Sequence, residues 1–153
     1  MKEPKSSSFK DIIEFAIQRE EEAARSYGEM ARLAAAEDLR KLLLELEADE
    51  KKHKTVLQNI GESKARLIKP TEIRDLKISD YLVEEELRPD VDLQGLLIYA
   101  AHKELKAFHL YSDLAKKARD SEEKRIFEFL ASQEKSHKLK LETEYDKHIL
   151  TED

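Results

Sequence analysis

The sequence predicts an all-α chain, an antiparallel four-helix bundle of two helical hairpins, 9–60 and 93–149, joined by one long crossover, 61–92, in a single domain over 1–153. Three observations predict it. The 153 residues include only three Gly and three Pro while 41% are charged, a balance that suits long solvated helices and not a turn-rich β fold. Apolar residues recur at helical spacing in four stretches. The chain also repeats itself: Glu20, Glu50 and His53 each stand 84 positions before Glu104, Glu134 and His137, and Ala16, Tyr27, Leu46 and Leu57 match Ala100, Tyr111, Leu130 and Leu141 at the same offset.

Ser6-Ser7-Ser8 offers N-caps for a first helix from Phe9 to about Ala35, with Ile12, Ile13, Ala16, Ile17, Ala24, Tyr27 and Met30 on its apolar side. A turn near Ala36 to Asp38, with Asp38 as cap, leads to a second helix over 38–60, which carries Leu39, Leu43, Leu46, His53, Leu57 and Ile60. Gly61 reads as its C′ residue. Periodicity then weakens, Pro70 and Pro89 interrupt it, and one short helix fits around Ser79 to Glu86. A connection of this length can run the height of a bundle. Asp92 caps the third helix, with Leu97, Ala100, Ala107, Tyr111 and Leu114 inward. A turn at Arg119, Asp120 and Ser121 opens the fourth, with Ile126, Phe127, Leu130, His137 and Leu141.

The register makes a site. Residues equidistant from a hairpin turn lie at equal height, because both helices rise about 1.5 Å per residue. Glu20 and Glu50 have their midpoint at 35, beside the first turn, and Glu104 and Glu134 theirs at 119, inside the second. Four carboxylates therefore meet at one level. In each Glu-x-x-His the two side chains leave one helix face, and His53 and His137 interrupt the apolar stripe. Four buried glutamates without cations would be severely costly. Two divalent ions balance them, and the oxygen and nitrogen donors suit iron or manganese, with zinc or copper as competitors. Tyr27 and Tyr111, seven residues beyond Glu20 and Glu104, either hydrogen-bond these carboxylates or serve as redox-active neighbours, as catalytic candidates beside the ligands, or pack in the core with a satisfied hydroxyl. His102, His109 and His148 have no counterpart at the repeat offset and read as surface or outer residues.

Composition excludes other classes. A net charge of −6 and no basic stripe argue against nucleic acid. The longest apolar stretch, Leu96 to Ala101, falls far short of the roughly 20 residues of a membrane span. No signal-peptide pattern follows Met1, so a cytoplasmic protein is expected. With no cysteine, disulfides and thiolate-bound metals are excluded within these residues.

The segments AIQREEEAARSY and AAHKELKAFHLY, with LEADEKKH and LASQEKSH, resemble the four helices of the ferritin-like superfamily, and within it the rubrerythrin-type di-iron carboxylate proteins. The resemblance implies terminal ligands at Glu20 and Glu104, bridging ligands at Glu50 and Glu134, and His53 and His137 completing each half. It implies two iron ions, with manganese or zinc as alternatives, and reduction of peroxide or dioxygen. Many rubrerythrins carry a further glutamate where this chain has Ala107, and a rubredoxin-like domain whose cysteines are missing here. Electrons are then expected from an external donor protein, and a homodimer is expected. The alternatives left open are a ferroxidase or metal-buffering bundle without peroxide turnover, and a structural bundle with a vestigial site.

Overall fold

A computed structural model describes residues 7–65, 73–83 and 91–150. Four helices dominate it: α1 (Phe9–Leu33), α2 (Glu37–Ala65), α3 (Leu93–Lys116) and α4 (Ser121–Tyr145), the last continuing as one π-helical turn, Asp146–Leu150. Three N-termini are capped by the side chains that propensity favours. Ser8 accepts from Asp11 N, Asp92 from Gly95 N, and Asp120 from Glu123 N, at 3.2, 2.9 and 2.8 Å.

Two boundaries differ from expectation. The first turn is Ala34 to Ala36, so α2 begins at Glu37 and Asp38 lies inside its first turn, where it pairs with Lys147 and His148 instead of capping. Arg40 Nη2 donates to Ala34 O at 2.9 Å, satisfying a carbonyl left at the end of α1. Gly61 does not stop α2, which runs on to Ala65. Ile60 and Leu57 bury themselves beside it, and that packing outweighs the modest helix penalty of one glycine.

The crossover contributes a two-stranded antiparallel ladder that the sequence did not announce. β1 (Ser7–Ser8) pairs with β2 (Ile73–Leu76), Ser7 opposite Leu76 and Ser8 opposite Ile73, tying the connection to the start of α1. The expected helix near Ser79 is a single 3₁₀ turn, Ile78–Tyr81; its remaining positions, 84–86, lie outside the described residues. Tyr81 Oη donates to Asp113 Oδ2 at 2.8 Å and fastens that turn to α3.

The apolar interior forms two clusters. One joins the start of α1, the end of α2, the end of α3 and the start of α4 through Phe9, Ile12, Leu57, Leu110, Leu114 and Phe127. The other joins the opposite ends through Met30, Leu43, Leu46, Leu97 and Leu141. Tyr81 packs in the first and Leu93 against the second, so these two positions lie toward opposite ends of the bundle. Between the clusters, at mid-height, sits a charged layer.

Candidate metal centre

Each helix sends one glutamate into that layer, and Glu20, Glu50, Glu104 and Glu134 are all fully buried. His53 and His137 lie one turn beyond Glu50 and Glu134 on the same faces, buried as well, with their rings stacked at 5.7 Å between centroids and 13° between planes. All six sequence-predicted side chains thus converge. His53 Nδ1 is 2.9 Å from Glu134 Oε1 and 3.4 Å from Glu50 Oε1, while His137 Nδ1 is 2.9 Å from Glu50 Oε1 and 3.7 Å from Glu134 Oε1. Each imidazole therefore leans on the glutamate of the other hairpin.

The tyrosines cross the bundle in the same sense. Tyr111 Oη donates to Glu20 Oε1 at 2.5 Å, and Tyr27 Oη donates to Glu104 Oε1. The rings are buried in the apolar clusters while the hydroxyls donate to carboxylates. His102 and His109 are exposed. His148 sits apart with Asp38 and Glu144 at the far end of α4.

Two residues were missed. Arg19, only 9% exposed, places Nη1 at 3.1 Å from Glu20, 2.5 Å from Glu50 and 2.6 Å from Glu134, and Nη2 at 3.0 Å from Glu104. A signal for it existed, because Lys103 stands 84 positions later and both copies carry a cation just before Glu20 or Glu104. Asp49 Oδ2 lies 3.1 Å from His137 Nε2, the arrangement that orients a histidine whose other nitrogen faces a metal. Its counterpart at the repeat offset is Gln133, so the repeat could not flag it.

Carboxylates packed this closely cannot all ionise freely. Burial, reinforced by Glu50, lifts Glu20 to about 8, and burial lifts Glu134 well above the usual range. At Glu50 burial is overcome by Arg19 and the two imidazoles, which hold it well below that range. Burial alone would lower the histidines, yet the surrounding glutamates raise His53 to about 9 and His137 to about 10. Without metal the layer balances itself, Glu20 and Glu134 holding protons while the Glu50 and Glu104 carboxylates face Arg19 and the two imidazoles.

Its donor atoms fit a pair of metal ions. Ligand atoms of Glu20, Glu50, His53 and Glu134 lie within 4.8 Å of one another, and so do those of Glu50, Glu104, Glu134 and His137. The two quartets share Glu50 and Glu134. Despite the ion pairs, Glu20 Oε2, Glu50 Oε1, Glu104 Oε2, both Glu134 oxygens and both Nδ1 atoms make no hydrogen bond, and these atoms converge, the imidazole nitrogens serving as ligands once they give up their protons.

The rubrerythrin family model matches residues 11–145. The chain belongs to the rubrerythrin family. Solved structures agree on the fold. A hypothetical protein from Pyrococcus furiosus is 26% identical, with a TM-score of 0.73 over 91% of this chain and 89% of its own. A Thermotoga maritima protein described as ferritin-like and diiron-carboxylate is 24% identical, with a TM-score of 0.75 over 94% and 97%. No curated protein sequence matches. The ferritin-like four-helix bundle is thus established for this rubrerythrin-family chain, and no described helix is long and apolar enough to cross a membrane.

Proposed function

We propose that this chain is a two-metal oxidoreductase that reduces peroxide or dioxygen, with electrons from an external donor protein. The observation that carries the reading is the pair of ligand quartets sharing Glu50 and Glu134. In this reading Glu20 and Glu104 are terminal ligands, Glu50 and Glu134 bridge, and His53 and His137 complete the halves. Iron is the proposed metal, with manganese or zinc able to compete for the same oxygen and nitrogen donors.

Two iron ions, when bound, would supply two electrons together at one place. Reduction of hydrogen peroxide takes two electrons and two protons, breaks the O–O bond and yields two waters. The chain's own groups prepare that chemistry. Burial, and then the glutamates around them, keep Tyr27 and Tyr111 protonated far above the usual phenol range, so each remains a donor that fixes a terminal carboxylate. Asp49 fixes the ring of His137. Two cavities on the α1/α3 face, about 260 and 280 Å³, reach Arg19 from outside and offer a path for a small oxidant. Ala107 lines the first, at the position where many relatives carry an added carboxylate.

Anaerobic loading with ferrous iron, followed by peroxide and a reductant, tests the reading. Repeated peroxide consumption that disappears in Glu50→Gln and Glu134→Gln is expected. A single round of iron oxidation without turnover would favour ferroxidase or buffering action, and no uptake of two ions would leave a structural bundle. The working unit is proposed to be a cytoplasmic homodimer. Light scattering measures the state.

A further inference from the structure

Arg19 is the one feature of the centre that the two-metal reading does not use. Its guanidinium bridges all four carboxylates from within, at 2.5 to 3.1 Å. Divalent ions held by those same carboxyl groups would stand against this cation in a buried, low-dielectric layer, where like charges repel strongly. The guanidinium and metal ions are therefore alternative occupants of one box.

The surrounding structure provides somewhere for the side chain to go. Arg19, Glu22 and Lys103 line both cavities on the α1/α3 face, so the side chain already forms the wall between the box and that groove. Glu22 is 62% exposed there and lies 3.7 Å from Lys103 Nζ, offering a carboxylate outside the box. Lys103 shows that the position tolerates an outward cation. It stands at the repeat offset from Arg19, directly before Glu104 as Arg19 is before Glu20, yet its side chain is 32% exposed and lies across the Tyr99 ring.

We propose that Arg19 is a displaceable internal cation. It closes the carboxylate box as a counter-ion, and loading with divalent metal expels it into the α1/α3 groove toward Glu22, which opens the box on that side. The inference rests on the two-metal reading, and two consequences follow from it. Metal affinity is reduced by the cost of taking the guanidinium from its contacts with the four carboxyl groups, and Arg19 helps the metal-depleted bundle keep its fold because those contacts satisfy buried polar groups.

Zinc, which has no redox chemistry, is the probe. Full-length protein is labelled with phenylglyoxal, with and without two equivalents of Zn²⁺, and modification is read at each arginine by peptide mass spectrometry. Arg19 should be protected in metal-depleted protein and labelled at least tenfold faster with zinc, while exposed Arg32 is unchanged. Arg19→Gln should bind zinc at least tenfold more tightly and, without metal, unfold at lower temperature than wild type. If wild type takes up two zinc ions while Arg19 stays protected, or if R19Q binds with unchanged affinity, displacement is overturned and the two-metal reading stands. If wild type binds no zinc, the two-metal reading fails. A gain of two zinc ions in R19Q alone would then identify Arg19 as the permanent occupant.

Discussion

Replacing Tyr27 by Phe removes one hydroxyl and almost nothing else. The ring is 2% exposed in an apolar cluster and can stay in place, and the lost group is the donor to Glu104 Oε1. Burial and Glu50 push Glu104 upward, but Arg19 and His137 prevail and hold its carboxyl below the usual range, so the acceptor is charged at neutral pH. A hydrogen bond to a buried charged group contributes about 1.5–3 kcal/mol, roughly twice a neutral one. In a domain of this size each kcal/mol moves the melting temperature by about 2–4 °C, so Y27F should lower it by about 3–12 °C in metal-depleted protein. Urea unfolding followed by circular dichroism gives the free energy, and thermal melting gives the shift. Loss of a group that orients a ligand should also weaken zinc binding about 10–100-fold. A change under about 0.5 kcal/mol with unaltered zinc affinity would refute the reasoning, because it would show the hydroxyl to be a passenger of core packing.

Three further outcomes are expected. Asp49→Ala should weaken zinc binding about 10–100-fold in a chelator competition, since His137 Nε2 loses its partner; unchanged affinity would mean that stacking on His53 alone orients the ring. Tyr81→Phe should cost about 0.5–1.5 kcal/mol and speed hydrogen exchange at residues 78–82, because the bond to Asp113 fastens the 3₁₀ turn to α3; unaltered exchange there contradicts it. The Lys147 ammonium, then His148, hold the Asp38 carboxyl down to about 2. A depressed carboxylate contributes stability that is full above its unfolded-state value, about 4, and lost as pH falls toward 2. The small advantage of wild type over Asp38→Asn should therefore shrink across that window, and parallel acid limbs would show that this exposed contact contributes nothing.

Much of the bundle was legible because its signals are periodic. Three cap residues, four apolar stripes and equal glutamate heights about two turns all follow from helix geometry acting on local sequence. The pairing of Ser7–Ser8 with Ile73–Leu76 was not legible, since two residues are too short to show strand alternation and the contact is made by a distant part of the chain. Gly61 misled because a stop signal is local while the burial of Leu57 and Ile60 is tertiary. The six glutamates and histidines stood out by their repeat, and the repeat also hid what breaks it. Asp49 faces Gln133 across the pseudo-symmetry, and Arg19 differs from Lys103 in burial, not in charge.

The proposal of a two-metal centre is tested most directly by anomalous diffraction at the iron edge, from crystals grown anaerobically with ferrous iron. Two peaks are predicted inside the carboxylate box, both against Glu50 and Glu134, one completed by Glu20 and His53 and the other by Glu104 and His137. A single peak, or none with the Arg19 guanidinium still seated among the four glutamates, would contradict it.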